Sequence, residues 1–112
     1  MSDLRYEILD LASDDYLGLW EVLWAVQQHF PDDTLGIARA KAQQLVLDLL
    51  EDRQLQLYQG VRFDGDETMI LPRDQENLLN VGTYWQEPIG DMQHLRVVAT
   101  EQGERAYLAM KS

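Results

Sequence analysis

The stretch VVATEQGERAYLA, Val97 to Ala109, constrains the fold more than any other part of the chain. Within it an alternating apolar pattern gives way to helical spacing, so a strand must run directly into a short helix. Thr100 stands at the join, where a short hydroxyl side chain caps a helix by accepting a bond from a free N–H group. Gly103 follows three residues later. The spacing predicts a strand over 93–99 and a helix from Thr100 to about Met110. Any fold for this chain has to bring a sheet and a helix start together at this point.

The N-terminal half is helical by the same criterion. Leu4, Ile8 and Leu11 predict a short helix over Asp3 to Leu11. Tyr16, Leu19, Leu23, Val26 and Phe30 mark a second helix, with Trp20 and Trp24 widening its apolar stripe and Ser13 or Asp14 as its cap. Pro31 makes a turn, and Asp32 or Asp33 is placed to cap the third helix. Leu35, Ala38, Ala42, Leu45, Leu49 and Leu50 then share one face, and Arg39, Lys41, Gln43, Gln44, Asp48 and Glu51 the other. Gly36 permits a break, so residues 34–52 read either as one long helix or as two short ones. From Leu55 to Phe63 the period changes to two. DGDE, Asp64 to Glu67, reads as a hairpin-type turn, TMILP as a second short strand and Asp74 to Asn80 as a short helix. VGTYWQEPIGDM reads as loop.

A chain of 112 residues is expected to form one domain, residues 1–112, with a real core. The absence of cysteine excludes a disulfide scaffold, a thiolate metal site and a cysteine nucleophile. No apolar leader or membrane-length run is seen, so a cytoplasmic protein is expected.

The formal charge is -11 and it is unevenly spread. Residues 1–36 hold eight acids and one Arg, and residues 64–91 hold seven acids and one Arg. Residues 37–63 and 92–112 are close to neutral. A negative field repels phosphate backbones and anionic membranes and attracts basic partners.

Two stretches resemble the winged helix-turn-helix superfamily. AQQLVLDLLEDRQLQLYQG looks like a recognition helix flowing into the first wing strand, and LRVVATEQGERAYL like the second wing strand flowing into a T-x-x-G turn and helix. The resemblance implies an α+β, winged-helix-like domain: three N-terminal helices, a small antiparallel sheet (the wing) and a short C-terminal helix. About thirty residues separate the two wing strands, so 64–91 contains an insertion. It also implies a DNA-reading alternative through Arg39, Lys41, Gln43 and Gln44, with Arg96 on the wing. Gln and Arg are the side chains that read base edges in the major groove. A true turn at Gly36 favours that alternative; one straight helix favours a protein scaffold.

Residue chemistry points to binding without catalysis or cofactor. His29 and His94 lie far apart without ligand spacing, and DGDET lacks the register of a calcium loop. There is no phosphate-cradling Gly-rich loop and no nucleophile elbow. Tyr84 and Trp85 in the insertion are the candidate aromatic anchors of a protein interface, and Asp32 and Asp33 its acidic surroundings. The expected partner is a protein, either basic, as the target of an inhibitor or immunity protein is, or a second copy of the chain.

Overall fold

The computed structural model describes residues 2–111, with side chains from Leu4 to Met110. The fold is α+β, with five helices and a four-stranded antiparallel sheet among the described residues. Helix α1 spans Ser2–Asp14, and the two-residue strand β1, Leu17–Gly18, follows. Helices α2 (Leu19–His29) and α3 (Leu35–Glu51) come next, then strands β2 (Leu55–Gly60) and β3 (Thr68–Met69). Helix α4 (Pro72–Leu79), a 3-10 turn over Gly82–Trp85, strand β4 (His94–Ala99) and helix α5 (Glu101–Lys111) complete the chain. No helix among the described residues is long and apolar enough to cross a membrane.

The sheet order is β1-β4-β2-β3. Strands β2 and β4 pair along their whole lengths, Leu55 opposite Ala99 and Gly60 opposite His94. Alternation turns Leu55, Leu57, Leu95 and Val97 into the core. Against them pack Leu4, Ile8 and Leu9 of α1, Leu19, Val22 and Val26 of α2, and Ala38, Ala42, Val46 and Leu49 of α3. Ala38 and Ala42 let α3 approach closely; Val46 and Leu49 fill the space beyond.

The ends of the helices correct the sequence reading. Helix α2 begins directly after a two-residue strand that the apolar period concealed, because Leu17 and Gly18 pair with Val97 and Arg96. Ser13 and Asp14 do not cap it: both lie inside α1, where the Ser13 hydroxyl donates to the Leu9 carbonyl at 2.7 Å. Gly18 occupies the cap position instead, and the Glu21 carboxylate accepts its N–H at 3.0 Å. Helix α3 is capped by Thr34, whose hydroxyl accepts from the Ile37 N–H at 3.3 Å, and not by Asp32 or Asp33. Asp33 pairs with Lys41 at 2.6 Å, one helical face away.

Residues 35–51 form a single helix, unbroken at Gly36. The turn between α2 and α3 lies at 30–34. Helix α3 ends in a reversed turn: Arg53 adopts φ 59°, its N–H reaches the Leu50 carbonyl at 3.0 Å, and the Gln54 N–H reaches Leu49 at 2.9 Å. This double bond pattern uses the last free carbonyls of the helix and aims the chain into β2.

In the insertion the strand expected in TMILP and the helix expected over 74–80 are present as β3 and α4, and the stretch read as loop contains the 3-10 turn over Gly82–Trp85. Strand β3 pairs with β2 through Tyr58 and Gln59, and Ile70, Leu79 and Trp85 are buried. Helix α4 lies against α3, and the 3-10 turn lies against α2. A run whose apolar residues are sparse gives little periodicity, yet three of them reach the core.

The turn from β2 to β3 is held by one carboxylate. Asp66 accepts the N–H groups of Val61 (2.9 Å), Arg62 (3.2 Å) and Phe63 (2.8 Å), and this fixes Phe63 at φ 57°. The Val61 bond, with those from Arg62 and Phe63, holds the Asp66 carboxyl below its usual 3.8. A depressed carboxyl favours the folded turn fully above its unfolded value and loses that contribution as pH falls through the lower folded one. Amide protection at residues 61–63 is therefore expected to persist from neutral pH down to 3.8 and to fade only below it. Asp66→Ala should abolish the protection at neutral pH, measured by hydrogen exchange against intrinsic rates. Unchanged protection in the variant would show that the three bonds do not hold the turn.

Candidate protein interface

Helix α2 is apolar on nearly every side, and a helix of that kind needs cover all round. Leu19, Val22, Leu23, Ala25 and Val26 find it. Trp24 does not: it is 62% exposed, although the apolar stripe placed it beside the core. The stripe was too wide to show which edge the rest of the chain covers. Leu35 is also 62% exposed and Leu11 41%. Leu35 shares the helical face of Ala38 and Ala42 but sits at the first position of α3, where the core has ended.

These three side chains line one cleft of ≈ 560 Å³ between α1, α2, the start of α3 and the stretch after the 3-10 turn. Leu23 lies in its floor, Glu21 and Glu87 are the acids on its walls, and Gln27 and Gln86 are the amides. A smaller hollow of ≈ 190 Å³ shares Leu23, Leu35, Trp85 and Gln86 with it and reaches Gly36, Arg39 and Gly82. Together they make one apolar trough. Exposed apolar patches of this kind, rimmed by polar groups, mark binding surfaces in soluble proteins.

Trp85 is not an exposed anchor. It is 3% exposed, and its indole N–H donates to the Leu79 carbonyl at 2.7 Å. The ring closes the core between α2 and α4, so it carries packing and only one edge of it reaches the trough. Tyr84 is half-buried, and its hydroxyl accepts from the Gln59 amide at 2.8 Å. Asp32 is exposed, and Asp33 is engaged with Lys41. Of the four candidate interface residues only Trp85 lines the trough, and it does so as a buried side chain.

The five candidate DNA contacts are also dispersed. Arg39 is half-buried beside Gly82, where a β-carbon would lie 3.0 Å from its guanidinium. Gln43, one turn on, donates to the Asn80 side chain at 2.5 Å. Both therefore face the insertion. Lys41 points to the other side of α3, paired with Asp33 and lying 3.7 Å above the Phe30 ring, and Gln44 donates to Asp48 at 2.8 Å. Arg96 lies on the outer face of the sheet. Its Nε donates to His94 Nε2 at 2.9 Å, and its guanidinium lies over the rings of Phe63 (4.8 Å) and Trp20 (5.6 Å).

Because arginine only donates, His94 Nε2 is an acceptor and Nδ1 carries the proton, directed at the Met92 carbonyl 3.2 Å away. His94 is 3% exposed. His29 is at the surface, 2.9 Å from Glu7. Near Arg96, Tyr16 hydrogen-bonds Glu67 at 2.9 Å; burial first, and that bond second, push its hydroxyl up to about 12. Among the described residues no three His, Asp or Glu side chains gather as a metal site.

No family model, curated protein or solved structure matches the chain.

Proposed function

We propose that this chain is a non-catalytic, winged-helix-like binding module whose partner is a protein held in the trough around Trp24. The observation that carries the reading is the exposure of Trp24, Leu11 and Leu35 along a single cleft. Tryptophan is the side chain most enriched among residues that dominate binding energy, because a large ring desolvates well and loses little entropy. The winged-helix part is supported by the two junctions that suggested it. Helix α3 runs into β2, β4 runs into α5, and the two strands are paired.

The DNA alternative has less support. Its five residues point to three different surroundings, and four are held by side chains of the same chain. The single helix at 35–51 is also the outcome that favours a protein scaffold.

Two measurements test the reading. A photo-crosslinking residue is placed at position 24, and another at the exposed Asp64, in protein made in its native cell. A discrete protein adduct from position 24 and none from 64 is expected. Fluorescence anisotropy with a mixed-sequence duplex is expected to show no salt-sensitive binding. Tight duplex binding that falls steeply with salt and is lost in Lys41→Ala would overturn the proposal. Trp24→Ala itself should change unfolding free energy by no more than about 0.5 kcal/mol in urea titration, as for other exposed positions. A loss comparable to that of a core residue would mean that Trp24 serves folding.

A further inference from the structure

We infer that the occupant of the trough is an amphipathic α-helix with a basic polar face, an inference that rests on reading the trough as a protein site. Three properties of the cleft select that chemistry. Its lining is largely apolar, with Leu11, Leu23, Trp24 and Leu35 among the residues. Its charged wall residues are Glu21 and Glu87, and no Lys, Arg or His lines the larger cleft. Every residue lining that cleft comes from 1–36 or 64–91, the two segments that hold fifteen of the twenty acids and two of the nine Lys and Arg residues. The uneven charge of the sequence thus acquires a location: the acid-rich segments build the larger cleft, and Arg39 is the one basic residue lining the adjoining hollow.

A helix suits the walls better than a strand does. An added strand needs a long unpaired sheet edge to bond with. The edge strand nearest the trough, β1, is two residues long and offers too few groups for that. The lining is mainly α2, with Trp85 to Glu87 on one side and Leu11 of α1 and Leu35 of α3 at its ends, and a groove along a helix is where an apolar helix face docks with anchors at i, i+3 or i+4, and i+7. A second copy of the chain is disfavoured by the same charges. Two molecules of charge -11 would bring acidic rims together and repel. Basic residues flanking the apolar anchors would instead meet Glu21 and Glu87, and the wider field would speed their arrival.

The test uses the whole chain and three labelled synthetic peptides of about 16 residues, long enough for several helical turns. One carries Leu at helical spacing with Lys on the polar face. The second has the same Leu positions with Glu for Lys. The third has the composition of the first with its Leu positions scrambled. Anisotropy is read at about 50 mM and about 500 mM salt, which changes screening severalfold. The Lys peptide alone is expected to bind, to become helical by circular dichroism and to weaken with salt. Trp24→Ala should reduce its affinity at least about thirtyfold, the loss of a dominant anchor, and Glu87→Lys should reduce it severalfold.

Equal binding of the Glu peptide, equal binding of the scrambled peptide, indifference to Trp24→Ala, or no binding at all would each overturn the inference. So would sedimentation showing a dimer that Trp24→Ala dissolves. A protein adduct at position 24 together with failure of the Lys peptide would sink the basic helix and leave the protein site standing. Failure of both would sink the two together.

Discussion

Trp85→Ala should cost about 3–5 kcal/mol of unfolding free energy, the range for removing a buried aromatic from a core. That is a large part of the roughly 5–15 kcal/mol that holds a domain of this size together. The ring is 3% exposed and shares the core with Leu79 and with Leu23 and Val26 of α2. Its removal leaves a cavity that the short 3-10 turn is badly placed to close, and it strips the Leu79 carbonyl of a bond of 2.7 Å. Trp85→Phe separates the two terms. It keeps most of the ring and loses the bond, so about 1 kcal/mol is expected. Urea titration decides, with the midpoint lowered and the slope unchanged. A change within about 0.5 kcal/mol for the alanine variant would be the behaviour of a surface residue. It would return Trp85 to the interface role that its place in a loop-like stretch suggested.

The contrast between Trp85 and Trp24 shows where the sequence was legible. Periodicity reports which side of a helix is apolar; it does not report what lies opposite. In α2 the apolar residues run almost all round, so nothing local distinguishes the edge covered by the 3-10 turn from the edge left open at Trp24. The covering element comes from a stretch sixty residues away, and its docking is a tertiary event without a local signature. Strand β1 escaped for a related reason: two residues cannot display a period, and their pairing with Val97 and Arg96 is long-range. Elements whose evidence is local were readable: the long α3 face, the alternation of β2 and the hydroxyl before α5. The acid-rich segments were visible at once. Their meeting was not, because the cleft they line joins parts of the chain that only the fold brings together.

Gly103→Ala is the second large effect, and its sign is the informative part. Alanine is the better helix former by about 1 kcal/mol, so an unhindered helical glycine gains stability on this change. Gly36, near the start of α3, is such a position: an added β-carbon there meets nothing within 4 Å, and Gly36→Ala should gain about 0.5–1 kcal/mol. Gly103 lies in the first turn of α5, where the same carbon would stand 2.0 Å from the Gln54 carbonyl oxygen and 2.9 Å from its carbon. Backbone cannot swing aside as a side chain does. Two bonds also tie the two segments at that point, Thr100 N–H to the Gln54 carbonyl at 3.0 Å and the Thr100 hydroxyl to the Arg53 carbonyl at 2.5 Å, and the same hydroxyl accepts the Gly103 N–H at 3.0 Å. Making room for a methyl group means lifting α5 from the turn that leads into β2 and straining those bonds. A loss of about 3 kcal/mol is expected, at the upper end for overpacking. The glycine three residues after Thr100 is thus required by the close approach of two backbones, which a spacing pattern records without explaining. Urea titration of both variants gives the answer: opposite signs support this packing, whereas a gain at both positions would mean that α5 does not dock on that turn as described.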